Sequence, residues 1–299
     1  MLKPPIQNAS VRLFPMQLKF TPYQPLIMGI LNITPDSFSG DGLLAQKDYL
    51  ASALDQAIRM HGEGADILDV GGESSRPGAE PVSAEEEMRR VIPVVEAIKQ
   101  KLPHVSIAVD TVKASVAEAA LKAGATIIND ISALAHDPKM AAVIADSKAY
   151  VVLMDNRSNA SAVTRDAKVG GEYKASTDGD IAGLVKRDLL ARAEVAKKSG
   201  IAQDKIILDP GISFGKTLEQ NLALLNHIDE LKKVGYPVLS GPSRKSFIGR
   251  ALDLTVDERL EGTAACVAAS VMRGADIIRV HDVKFMARVA RMAGLIAQN

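Results

Sequence analysis

Asp66-Ile-Leu-Asp-Val-Gly-Gly-Glu-Ser-Ser-Arg-Pro-Gly78, followed by Ser83-Ala-Glu-Glu-Glu87, holds the plan of the whole chain in one unit. Asp66 to Val70 is a short, mostly apolar run of strand length. The glycines, serines and proline after it end that run. Ser83, with acids in the turn that follows, opens a helix in capping-box style. The unit is strand, loop, helix.

It repeats on both sides. Leu26–Leu31 leads to Asn32-Ile-Thr-Pro-Asp-Ser-Phe-Ser-Gly-Asp-Gly42 and helix-period sequence from about Leu44 to Gly62. Val105–Val109 ends at Asp110-Thr111, with a helix to about Ala123. Ala125–Ile128 ends in Asn129-Asp-Ile131, and Ala149–Met154 in Asp155-Asn-Arg157. A polar, Gly-rich stretch of some 25 residues then intervenes. Its length predicts a lid, a binding loop or disorder, with helix resuming near Asp180. Lys205–Leu208 leads to Asp209-Pro-Gly-Ile-Ser-Phe-Gly215, and Tyr236–Ser240 to Gly241-Pro-Ser-Arg-Lys-Ser-Phe-Ile-Gly249. Ala275–Val280 leads to His281-Asp282 and a last helix.

Eight apolar strands alternating with helices predict an α/β fold with a parallel sheet. Eight units over residues 26–299 fit a single (β/α)8 TIM barrel. A doubly wound dinucleotide fold would want Gly-x-Gly-x-x-Gly after the first strand, and Asn32-Ile-Thr-Pro-Asp36 does not supply it. Residues 1–25 form an extension. Val11–Phe20 alternates around Pro15, which predicts an edge ribbon.

Composition narrows the function. With 36 basic and 36 acidic residues the formal charge is zero, so nothing points to nucleic acid or an anionic membrane. The single Cys266 lies in a small-residue run and reads as a packed thiol. No stretch is apolar enough to span a bilayer and the N-terminus does not read as a signal peptide, which makes the cytoplasm the expected location.

In such barrels the site lies at the C-terminal strand ends. Any one strand-end Asp or Asn is as well explained as a helix cap. Their shared register around one ring is what caps alone do not explain. Asp110, Asn129 and Asp209 suit a flat heterocycle bearing N–H groups. Met154, Ile131 and Phe214 suit its apolar walls. Arg279, His281, Arg76, Ser75 and two glycine-rich turns suit phosphate oxygens. Asn32 offers a neutral oxygen to magnesium held partly by substrate phosphates. Zinc spacing and a Walker-type phosphate loop are both missing.

Together, Ile30-Leu-Asn-Ile-Thr-Pro-Asp-Ser-Phe-Ser39, Asp69-Val-Gly-Gly-Glu-Ser-Ser-Arg-Pro-Gly78, Val109-Asp-Thr111, Asn129-Asp-Ile131, Leu208-Asp-Pro-Gly211 with Phe214-Gly-Lys216, Ser243-Arg-Lys-Ser246 and Arg279-Val-His281 resemble the dihydropteroate synthase family of pterin-binding enzymes. The resemblance implies a folate-pathway transferase and sulfonamide target, a homodimer using Mg2+. It would join 6-hydroxymethyl-7,8-dihydropterin diphosphate to 4-aminobenzoate. By motif, Asp110, Lys245 and Arg279 would be catalytic. Asp110, Asn129, Ile131, Met154, Asp209, Phe214, Lys245 and Arg279 would bind the pterin. Diphosphate would fall to Asn32, Arg76, Arg279 and His281, the metal to Asn32, and aminobenzoate to Phe38, Ser75, Arg76, Pro77 and Ser246. Arg244 would brace its turn from outside.

The implied mechanism matches this inventory. Cations neutralise the diphosphate, it leaves, and the uncharged arylamine attacks a methylene cation delocalised into the pterin, so no Ser-His-Asp arrangement is needed. The chain departs from the family pattern at Met154-Asp-Asn-Arg157, where a His-Met pair is common, and at Ser74-Ser75-Arg76, where Thr often precedes Arg. Three alternatives stay open at this point: a pterin-binding methyltransferase barrel, a Schiff-base aldolase using Lys245, and a non-catalytic pterin-binding homologue.

Overall fold

The computed structural model describes residues 17–34, 43, 48–74, 80–158, 163–166, 168–173 and 179–299. In chain order these give β1 Leu26–Asn32, α1 Tyr49–Gly62, β2 Ile67–Gly71, α2 Ala84–Lys101, β3 Ser106–Asp110, α3 Ala114–Ala123, β4 Ile127–Asp130, α4 Met140–Ser147, β5 Tyr150–Met154, and a hairpin of β6 Val163–Asp166 and β7 Gly170–Tyr173. There follow α5 Ile181–Lys198, β8 Ile206–Asp209, α6 Leu218–Asn226, α7 Ile228–Lys232, β9 Leu239–Ser240, α8 Ser246–Leu252, α9 Leu260–Met272, β10 Ile277–Val280 and α10 Val283–Ala297.

The main sheet runs β8-β5-β4-β3-β2-β1-β10-β9, with every pairing parallel. Its two ends meet. Leu208 bridges Val238 in parallel, and its N–H donates to the Pro237 carbonyl at 2.9 Å. The expected (β/α)8 barrel is the fold. β9 is the short stave because Pro237 offers a carbonyl but no N–H to the ladder.

Strand side chains alternate between two faces, and the core divides accordingly. Met28, Ile67, Ala108, Ile127, Tyr150, Val152, Ile207, Leu239 and Ile277 fill the barrel interior. Their neighbours Ile27, Leu68, Ile107, Ile128, Val151, Leu208 and Ile278 pack outward with helix residues such as Val94, Val95, Ala117 and Leu189. Because the period is two, the residues two further along each interior row also face inward. Those are Ile30, Asp69, Asp110, Asn129, Met154, Asp209, Gly241 and Arg279. The site residues are thus the top layer of the barrel core.

The bottom is closed by the chain's own start. Leu18 and Phe20 pack against the interior cluster, and the Leu18 N–H donates to Tyr150 Oη at 3.0 Å. The alternating segment read as an edge ribbon lies outside the described residues as far as Met16. Helix signals were reliable: Ser83 caps α2 by accepting from the Glu86 N–H, and Asp180 caps α5 through Gly183. The Gly-rich stretch after β5 contains regular structure, the antiparallel β6–β7 hairpin. No described helix is long and apolar enough to cross a membrane.

Candidate active site

The barrel mouth opens into a cavity. Among the described residues its floor and walls include Asn32, Asp110, Phe214, Lys245, Ser246, Arg279 and His281 from the expected set. Asn129, Met154 and Asp209 are buried at the ends of β4, β5 and β8, just behind that lining. Ile131 sits half-buried in the turn after β4 and is not part of the lining. Phe38, Ser75, Arg76 and Pro77 lie outside the described residues.

Arg279 organises the floor. Its Nε donates to Asp69 Oδ2 at 2.6 Å and its Nη2 to Asp110 Oδ2 at 3.1 Å. Asp69 is fully buried, accepts from Asn129 Nδ2 at 3.2 Å, and keeps Oδ1 without a hydrogen-bond partner. Asp69 belongs to the Asp69–Gly78 motif, yet the motif alone gives it no role. The signal was there: Asp69 lies two residues from Ile67, on the inward face of β2.

Burial is the main cost of charge here. It pushes the Asp110 carboxyl up to about 7, since Arg279 opposes it but is shared with Asp69. Burial likewise raises Asp209 to about 6, although the Gly211 N–H donates to its Oδ1 at 2.7 Å. Lys245 is lowered to about 8, by burial and then by Arg279, against the pull of Asp209 and Asp110. Burial also works against the Arg279 cation, but Asp69 and Asp110 outweigh it and its pKa is raised. Asp110, Asp209 and Lys245 therefore all titrate within reach of neutrality, beside an arginine that stays charged. Such clustering is characteristic of a working site.

The Gly241–Gly249 turn separates its two cations. Arg244 takes a left-handed φ of 54° and meets Asp282 at 2.8 and 2.6 Å, away from the cavity. Lys245 lines the cavity, its Nζ 4.3 Å from the centre of the Phe214 ring. Phe214 is held by the turn after β8. There Lys216 Nζ donates to the carbonyls of Asp155, Gly211 and Phe214 at 2.8, 3.0 and 3.1 Å, and pairs with Asp155 Oδ1 at 2.9 Å. Asp155, one of the chain's departures, is thus a structural counter-ion, also bonded to Arg157 at 2.8 Å. At the rim, Ser243 Oγ accepts from the His281 N–H at 3.2 Å and bonds its Nδ1 at 2.9 Å.

The Gly71–Gly72 side is braced as well. Glu73 lines the cavity, accepts from the Val82 N–H at 3.2 Å and pairs with Lys113, which also pairs with the buried Glu87. Cys266 takes no part, since burial pushes its thiol up to about 11.

Residues 28–281 match the family model described as pterin binding enzyme. The chain belongs to the pterin-binding enzyme family. One relative, the dihydropteroate synthase of Bacillus subtilis, is 50% identical over 267 residues, 89% of this chain and 87% of that protein. Solved structures of pterin-binding enzymes overlay on it closely. The Clostridium difficile dihydropteroate synthase, determined in the presence of pteroic acid, is 44% identical with a TM-score of 0.80, covering 91% of this chain and 97% of that one. The Xanthomonas albilineans dihydropteroate synthase with 4-aminobenzoic acid is 35% identical with a TM-score of 0.81, covering 91% and 93%.

Proposed function

We propose that this chain acts as a dihydropteroate synthase, condensing 6-hydroxymethyl-7,8-dihydropterin diphosphate with 4-aminobenzoate to give 7,8-dihydropteroate and diphosphate. The observation that carries it is the floor of the barrel mouth. Three hydrogen-bonding groups, Asp110, Asn129 and Asp209, stand at strand ends beside two cations, in a chain whose relatives bear that name.

In this reading the pterin lies on the floor. Its N–H edge donates to Asp209 and Asn129, and Lys245 donates to its ring acceptors. Met154, Ile131 and Phe214 flank the ring. Asn32, Arg279 and His281, with Arg76, meet the diphosphate. Cations aimed at the leaving group lower the barrier to C–O cleavage, and the Asp110 carboxylate stabilises positive charge spreading into the pterin. The arylamine attacks as a neutral nucleophile and sheds its proton late, so no strong base is required. Ser246, with Phe38, Ser75 and Pro77, receives the aminobenzoate.

Magnesium belongs to the proposal. Asn32 lines the cavity, with Oδ1 3.9 Å from where a Cβ on Gly71 would stand. No group of three His, Cys, Asp or Glu that could hold a metal occurs among the described residues. One neutral oxygen fits an ion bound mainly through substrate phosphates. When bound, it would neutralise charge on the departing diphosphate. The proposed enzyme is a cytoplasmic homodimer: Phe285, Met292 and Ile296 form an exposed apolar stripe on α10 that self-association would cover.

The test is product formation. With the pterin diphosphate, labelled 4-aminobenzoate and Mg2+, the chain should form labelled dihydropteroate with one diphosphate released per product. No product under any metal condition overturns the proposal. Borohydride trapping of a carbonyl substrate on Lys245 would instead support the aldolase chemistry.

A further inference from the structure

The mechanism makes no use of the β6–β7 hairpin, yet Gly171 and Tyr173 from β7 form part of the cavity wall. The hairpin is fixed to the far side of the mouth by three contacts. Arg259 Nη2 donates to the Val169 carbonyl at 3.1 Å, Arg250 Nη2 to the Gly170 carbonyl at 3.0 Å, and Lys168 pairs with Asp253 at 2.7 Å. Arg259 is only 1% exposed and runs beneath α8, where a Cβ on Gly249 would come within 2.4 Å of its guanidinium. Its Nη1 donates to the Arg244 carbonyl at 3.0 Å. One buried guanidinium therefore holds both the hairpin and the turn that presents Lys245 and Ser246.

Tyr173 is fixed at its outer end too, since its Oη donates to Ser158 Oγ at 3.1 Å, and the residue is buried. Arg250 lies one helical turn beyond Ser246 on the same face of α8. The β7 backbone it binds therefore lies against α8, and Gly171 and Tyr173 share the cavity lining with Ser246. The arylamine must direct its nitrogen to the methylene carbon over the pterin floor, so its para substituent points outward, past Ser246. Gly171 and Tyr173 are the wall that it meets.

We propose that Tyr173, held on the cavity wall by the β6–β7 hairpin, is a specificity-determining residue that limits the length of the arylamine's para substituent. This rests on the synthase reading above. A carboxylate fits inside the wall, whereas an amide-extended substituent must displace the tyrosine ring. The discrimination is steric and acts on the second substrate alone.

The experiment compares kcat/KM for 4-aminobenzoate with that for N-(4-aminobenzoyl)glycine, at saturating pterin diphosphate, in the full chain and its variants. The full chain should favour the shorter arylamine. Tyr173→Ala should shrink that preference by about tenfold, the scale at which pocket shape discriminates. Tyr173→Phe, which keeps the ring but gives up the Ser158 bond, should relax the preference only by a smaller factor, and the KM for pterin diphosphate should hold in both. Ser158→Ala, which releases Oη without altering the wall itself, should relax the preference by a smaller factor and carries the test should Tyr173→Ala fail to fold. A preference unchanged in Tyr173→Ala, or in Ser158→Ala where the former is unfolded, overturns the inference. An unaltered chain that turns over neither arylamine overturns the synthase reading instead.

Discussion

Arg279 and Asp69, 210 residues apart in the chain, meet at 2.6 Å beneath the barrel mouth. The same carboxylate oxygen receives the Asn129 amide, and the other arm of the guanidinium reaches Asp110. One cation is thus divided between two acids. Burial makes Asp110 hard to ionise, and a cation divided in this way does not offset it.

Asp69 is therefore a positioning residue whose loss should be felt at Arg279. Asp69→Asn keeps an oxygen to accept from Nε but removes the buried counter-charge. Breaking such a pair costs about 3 kcal/mol, so kcat/KM for product formation should fall on the order of 100-fold. With Arg279 then serving Asp110 alone, the acidic limb of the pH–rate profile should move to lower pH. A variant with unaltered kcat/KM and profile would mean that Asp69 merely fills the core.

The acids also set a pH dependence with a definite sign. Asp110 and Asp209, raised to about 7 and about 6, keep protons in the native state that the unfolded chain has lost. The stability of the ligand-free protein therefore falls as pH rises from their ordinary range, near 4, through those values. The proposed pterin site needs the ionised acceptors, so affinity should rise over the same window. Titration calorimetry near pH 6, in buffers of different ionisation enthalpy, should register proton release on pterin binding; proton uptake would contradict the assignment.

Much of this was legible in the sequence because strand ends are marked twice, once by an apolar run stopping and once by a polar residue in register. Asp110, Asn129 and Asp209 carry both marks. Asp69 carries neither, since it sits inside the run that identifies β2 as a strand. Only the alternation from Ile67 through Asp69 to Gly71 shows that it faces inward. Tyr173 was hidden for another reason. A short hairpin in a glycine-rich stretch has weak local signals, and its position depends on Arg250 and Arg259, some 80 to 90 residues further on. Long-range anchors of that kind have no sequence periodicity. Arg244 and Lys245 were separable only as expectations until the turn's geometry sent one outward and one inward.

Lys216 should prove to be a stability residue more than a chemical one. Burial lowers its pKa, against the attraction of Asp155, and its ammonium joins three carbonyls of the β5 and β8 ends. Lys216→Met would strand those carbonyls and leave Asp155 to Arg157 alone, at a cost of about 3 kcal/mol. Denaturant unfolding should show the midpoint falling with little change in slope. An unchanged midpoint would mean that the turn carrying Phe214 is held by other contacts.

The proposed pterin site at the floor of this mouth is built on Asp209. Calorimetric titration of a pterin substrate analogue into the unaltered chain and Asp209→Ala measures what that carboxylate contributes. Stranding the heterocycle's donors should weaken binding by about 3 kcal/mol, on the order of 100-fold in Kd, with thermal stability retained. Equal affinity in the two proteins would place the pterin elsewhere and remove Asp209 from its site.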